Sequence, residues 1–152
     1  MSPVICGVDG WDSTSGSARA VHVARRLARK FRRPILFVTV VDDGAALERE
    51  AASALLQHAA ETSGGVDAEW AVEEGHPADR LVALASERDA SFIVVGNHGP
   101  RSSLLGSISA DVARRAPCPV VVVPPTMAES VAVEPASESN GGIVRFSLPE
   151  VA

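Results

Sequence analysis

Val94-Val95-Gly96-Asn97-His98-Gly99-Pro100-Arg101-Ser102-Ser103-Leu104-Leu105-Gly106-Ser107 is the stretch whose reading decides the fold. It leaves the apolar run Ser91-Phe92-Ile93-Val94-Val95, crosses a loop punctuated by glycines, and enters a helical pattern from Ser107 to about Ala116. Ile108, Val112 and Ala113 are the residues expected to face inward there. A run with no polar alternation is that of a strand covered by helices on both faces. N–H groups at the start of the following helix have no intrahelical partner and carry partial positive charge. Glycines let an anion come close to such a backbone, and Ser107 can both cap the helix and offer a hydroxyl to a phosphate. The same spacing fits a plain strand–turn–helix connection with a serine cap, and the residues by themselves leave both readings open.

Upstream, the chain alternates in the same way. Val4-Ile5-Cys6-Gly7-Val8-Asp9 reads as a strand, Gly10 to Gly16 as a loop, and Ser17 to Lys30 as a helix with Ala20, Val23, Ala24, Leu27, Ala28 and Phe31 on one face. Pro34 precedes a second doubly apolar strand, Ile35 to Val41. A helix from about Ala45 to Thr62 follows, with Leu47, Ala51, Ala54, Leu55 and His58 on one face, and Gly64-Gly65 ends it. Asp67 to Glu73 alternates polar and apolar residues, as expected of a strand at a sheet edge. Gly75-His76-Pro77 turns into a helix whose face is Ala78, Leu81, Val82 and Ala85. The last clear strand is Pro119 to Val123. Strands alternating with helices predict parallel pairing with right-handed crossovers, hence a doubly wound five-stranded α/β sheet with helices on both faces.

The 152 residues correspond to one domain, expected over 1–125, and a tail over 126–152. Thr126 to Gly142 is rich in Ser, Glu, Ala, Pro and Gly and reads as a flexible acidic linker; Ile143 to Leu148 is compatible with a short terminal strand. The net charge is −5: the tail holds four acids and one base, and the body 15 acids and 13 bases. That balance argues against nucleic acid as a partner. No apolar run approaches the roughly 18–20 residues that span a bilayer, so no membrane partner is expected. Met1-Ser2-Pro3 leads directly into a strand with no signal-peptide pattern, so the expected location is the cytoplasm. Cys6 and Cys118 adjoin apolar strands and read as reduced, buried thiols.

A second candidate site residue is Asp9, at the carboxyl end of the first strand, where doubly wound folds bind ligands. It is placed to accept hydrogen bonds from a ribose or an adenine edge, and it is equally placed to cap a loop or helix. No nucleophile–base pair is legible among the loop serines, and His98 is the one histidine near the candidate loop. Neither a GxxxxGK[ST] phosphate loop nor a GxGxxG fingerprint is present, so a P-loop NTPase and a dinucleotide dehydrogenase are both unsupported. No catalytic residue and no metal ligand is assigned.

Taken in order, Gly7-Val8-Asp9-Gly10, Val38-Thr39-Val40, Gly75-His76-Pro77-Ala78, Phe92 to Gly99, Leu104-Leu105-Gly106-Ser107 and Cys118 to Pro124 resemble the universal stress protein family over about residues 2 to 125. The resemblance implies a Rossmann-like sheet of the adenine nucleotide alpha hydrolase type, with strand order 3-2-1-4-5. It implies ATP, with Mg²⁺, between the ends of strands one and four. Asp9 and the backbone near Val40 would then contact adenine and ribose, while Gly96, Gly99, Gly106 and Ser107 would hold the phosphates. It implies further a homodimer through Val120 to Val123, a stress-response or regulatory role, and at most weak ATPase turnover. The alternative is a dimeric member that does not bind ATP and acts through protein interactions. Two departures border the implied pocket. Pro100 to Leu105 is a run of six residues, shorter than ATP-binding members of the family usually carry, and Pro100 offers no N–H. Trp11 follows Asp9-Gly10 where the family tends to have serine; an indole there can stack on a base or fill its space.

Overall fold

The computed structural model describes residues 2–8, 16–96 and 107–124. They form β1 (Val4–Gly7), α1 (Gly16–Phe31), β2 (Ile35–Val41), α2 (Ala46–Glu61), β3 (Ala68–Glu74), α3 (Pro77–Glu87), β4 (Phe92–Gly96), α4 (Ser107–Arg115) and β5 (Val120–Val123). The five strands make one parallel sheet in the order β3-β2-β1-β4-β5. The strand order expected from the resemblance is therefore found, with β3 at an edge.

Strand alternation assigns each residue to one of two cores. Val4, Cys6, Ile35, Phe37, Val94, Val121 and Val123 point to one face, where Ala20, Val23, Ala24 and Ala28 of α1 and Leu56 and Ala59 of α2 cover them. Ile5, Leu36, Val38, Ile93, Val95 and Val122 point to the other, under Ala78, Leu81, Leu84 and Ala85 of α3 and Val112 of α4. Gly7 belongs to this second face. A Cβ there would lie 3.2 Å from Val95 Cγ1 and 3.3 Å from Leu81 Cδ1, so the absent side chain is what lets α3 sit down on β1.

Three helices differ in part from the faces read off the sequence, most of all α2, while α3 buries Ala78, Leu81 and Ala85 as expected. In α2 the buried stripe is Ala52, Leu56 and Ala59, whereas Leu47 is 83% exposed and Leu55 38%. Alanines on every side of this helix give its periodicity little contrast. Its rotation is fixed instead by polar contacts at its end: Arg25 of α1 donates to the Ala59 carbonyl at 2.9 Å and to Thr62 Oγ1 at 2.8 Å, and fully buried Ser63 donates back to the Ala59 carbonyl at 2.7 Å. In α4, Ser109 and Val112 face the sheet, and Ile108 is 41% exposed. Ser109 is tolerated inside because its hydroxyl donates to the Gly96 carbonyl at 3.3 Å. In α3, Leu84 takes the buried place expected of Val82.

α1 ends in a left-handed residue, Arg32, with φ 53°. The Arg33 N–H turns back to the Ala28 carbonyl at 2.9 Å, closing the helix as a glycine usually does. Phe31, expected inside, is 48% exposed, with its ring tilted on that of Phe92 at a centroid distance of 5.3 Å.

Candidate functional site

Order β3-β2-β1-β4-β5 means that the chain moves outward from β1 in one direction through β2 and β3 and in the other through β4 and β5. The connections after β1 and β4 consequently leave the sheet on opposite faces, α1 on one and α4 on the other, and it is at such a switch point, between the carboxyl ends of the two strands, that doubly wound sheets form a ligand crevice. Gly7 and Val95 are register partners at its floor, and β4 ends at Gly96.

Of the residues expected at this site, Gly96 lies at the end of β4, buried, in register with Val123 of β5. Val40 is the next-to-last residue of β2, half-buried on the α3 side, in register with Glu73. Ser107 opens α4. Asp9, Gly99 and Gly106 fall outside the described residues, as do Trp11, Pro100 and the tail. The structure thus brings the ends of β1 and β4 and the start of α4 to one end of the sheet.

Two further residues shape the crevice and were not singled out from sequence. Thr39, buried on β2, donates its hydroxyl to the Val8 carbonyl at 2.7 Å, and the Val8 N–H reaches the Val38 carbonyl at 2.8 Å. The backbone that leads into Asp9 is therefore held through both the N–H and the carbonyl of Val8, on two successive peptide planes. Ser109, through its bond to the Gly96 carbonyl, holds the backbone where β4 ends. Thr39 is a hydroxyl in an apolar run, and a Thr at an otherwise doubly buried strand position is the signal that points to such a clamp.

The electrostatics of this end suit an anion. Neither α1 nor α4 has an acidic residue in its first turn. The first N–H groups of a helix lack intrahelical partners and meet no fixed negative charge from within these two turns, and the helix dipole favours a phosphate at such a terminus. Beneath, Cys6 is fully buried, and desolvation pushes its thiol up to about 12 despite the opposing charge of Arg25. It stays neutral and serves as a small apolar side chain. Burial likewise raises Cys118, and both cysteines are free thiols. Among the described residues no group of His, Cys, Asp or Glu is arranged to hold a metal. No helix among them is long and apolar enough to cross a membrane.

The sequence model for the universal stress protein family matches residues 1–124. The universal stress protein YxiE of Bacillus subtilis is 39% identical over 62 residues, which are 39% of this chain and 42% of that protein. The universal stress protein Rv1636 of Mycobacterium tuberculosis is 48% identical over 52 residues, 32% of this chain and 36% of that one. The matched stretches span less than half the length of either curated relative. Among solved structures, a universal stress protein from Archaeoglobus fulgidus superposes with a TM-score of 0.70 at 26% identity, covering 81% of this chain and 98% of the other. A universal stress protein in complex with cAMP superposes with a TM-score of 0.65 at 31% identity, covering 80% and 96%. The Archaeoglobus protein in complex with dAMP gives 0.68 at 25% identity, covering 81% and 98%.

Proposed function

This chain belongs to the universal stress protein family, and we propose that it binds an adenine nucleotide in the crevice between the ends of β1 and β4. The observation that carries the reading is the cAMP complex of a 31% identical protein over nearly the whole of the shared fold. The acid-free first turns of α1 and α4 support it independently, because they put no carboxylate of their own against a phosphate at those helix N-termini. In this reading Asp9 and the Val40 backbone take the ribose and adenine, and Gly96, Gly99, Gly106 and Ser107 surround the phosphates. ATP, with Mg²⁺ as counter-ion, is the physiological nucleotide, and occupancy acts as a regulatory signal in the cytoplasm with little turnover. A homodimer through β5 completes the unit: Val120–Val123 is the outermost strand of the described sheet, and an apolar edge is a template for pairing.

One observation favours a second reading, in which the dimer works through protein contacts without ATP. The six residues Pro100 to Leu105 include a proline, so that loop carries fewer N–H donors than its length suggests. Calorimetry with ATP and Mg²⁺, AMP and cAMP, together with thermal unfolding, separates the two. Binding gives heat and, at a hundred-fold excess over Kd, a stabilisation of about 2.7 kcal/mol. No heat and no thermal shift up to millimolar concentrations of any of the three would overturn nucleotide binding and leave the second reading.

A further inference from the structure

Arg19 aside, the described bases divide into two populations. Between residues 13 and 41 there are seven Arg or Lys and no acid. Arg49, Arg80, Arg88, Arg114 and Arg115, the described arginines beyond that segment, each pair with a carboxylate. Within it, Arg25 and Arg29 spend their donors on the Ala59 and Ser63 carbonyls and on hydroxyls, and no carboxylate among the described residues pairs with them. Among the described residues no carboxylate pairs with Arg26, Lys30, Arg32 or Arg33. Of these, Arg26, Lys30 and Arg32 are exposed, and so is Arg29.

The helix dipole accounts for only part of this cluster, since its field covers the last turn, here Arg29 and Lys30. Arg32 is held left-handed, which costs about 1 kcal/mol for a residue with a Cβ. A position that glycine would fill more cheaply carries a guanidinium. Exposed Phe31 sits between the bases, anchored on Phe92. The result is a cationic surface with an apolar centre, at the opposite end of α1 from the nucleotide crevice. Forked guanidiniums favour planar carboxylates, and the aromatic ring favours an apolar residue between them.

We propose that this surface docks the acidic stretch Glu129-Ser130-Val131-Ala132-Val133-Glu134-Pro135-Ala136-Ser137-Glu138 of the chain's own tail. The pattern is complementary: three carboxylates flank two valines, as the bases flank Phe31. The reach is sufficient. β5 ends at Val123 on the side of the sheet that α1 covers. Arg26 lies ten residues into α1, about 15 Å along the axis. Glu129 is six residues beyond Val123 and can be about 20 Å away, and Glu138 considerably farther. The docked tail would make a regulatory strap on the α1 face, released by salt or by a competing acidic partner.

A glutamate-specific protease reads the docked carboxylates directly, with the full-length protein as substrate. In low salt, cleavage after Glu129 and Glu138 is expected to be several-fold slower than in an Arg26→Gln/Lys30→Gln/Arg32→Gln variant, on the scale of three exposed ion pairs. Cleavage after Glu150, outside the docked stretch, serves as the internal control and should not change. A second arm needs no variant: raising NaCl to 0.5 M should accelerate cleavage of the wild type after Glu129 and Glu138 to the variant's rate. Equal rates in both proteins at low salt, with no salt effect, would overturn the proposal. Protection that disappears on ten-fold dilution would also overturn it, because the occupant would then be a second copy of the chain.

Discussion

The hydroxyl of Thr39 donates to the Val8 carbonyl across 2.7 Å inside the seam between β2 and β1. That carbonyl is the last described backbone acceptor before Asp9, so the bond fixes where β1 hands the chain to the crevice. Thr39→Val keeps the shape and orphans the buried acceptor. The expected loss is about 1–3 kcal/mol of unfolding free energy in urea melts. Adenine-nucleotide affinity measured by calorimetry should weaken at the same time, and Thr39→Ser, which keeps the donor, should retain most of both. Wild-type stability in Thr39→Val would show that the bond has no structural weight.

Gly7 is the point where α3 meets the sheet most closely. In Gly7→Ala the new methyl would sit 3.2 Å from Val95 Cγ1 and 3.3 Å from Leu81 Cδ1, tighter than ordinary contact. Both neighbours are core side chains packed on several sides, so they can yield only by shifting α3. A destabilisation of about 1–3 kcal/mol is expected from such overpacking. Pairing Gly7→Ala with Leu81→Ala should return part of that loss, because the second change removes the clash; simple additivity in thermal melts would contradict this account.

Much of this architecture is legible in the residues. The doubly apolar runs Ile35–Val41, Phe92–Gly96 and Val120–Val123 announce a sheet covered on both sides, and the alternation over Ala68–Glu74 announces an edge. Helix rotation is less legible where small residues surround the axis. Alanines let α2 turn either Leu55 or Leu56 inward, and Arg25 decides for Leu56 from a helix 34 residues away. Periodicity counts hydroxyls as polar and so leaves Ser109 out of the inward face of Ile108, Val112 and Ala113, yet a strand-end carbonyl satisfies it inside. At the site, the family resemblance assigns Gly96, Val40 and Ser107 to one pocket, and the structure puts them near the end of β4, near the end of β2 and at the start of α4. It does not reveal the Thr39 clamp, which depends on a neighbouring strand's register.

Cys6 makes the alkaline limb of stability measurable. An ordinary thiol ionises near 9.0, while burial holds this one to about 12. Between those values the unfolded chain has released a proton that the folded chain retains, so stability falls as pH rises. The slope from this group is at most about 1.4 kcal/mol per pH unit. Cys6→Ala should be less stable at pH 7, since it leaves a small void, but should lose less between pH 9 and 11. Parallel stability curves for the two proteins over that range would rule out Cys6 as the source.

Arg115 ties the two helices of the second layer together, bonding Asp79 of α3 at 2.8 Å and Asp111 of its own helix at 2.9 Å. Its hydrogen bond, with smaller help from Arg114, holds the Asp111 carboxyl below the ordinary 3.8. A depressed carboxylate contributes stability that is present above its unfolded pKa and is lost as pH falls through the folded one. The advantage of the wild type over Arg115→Gln should therefore be steady from pH 7 down to about pH 5 and shrink below pH 4. Carbon-detected NMR of Asp111 should show its midpoint rising toward the ordinary value in Arg115→Gln, and rising less in Arg114→Gln. An unchanged midpoint in Arg115→Gln would mean that the carboxylate owes its acidity to something other than this guanidinium.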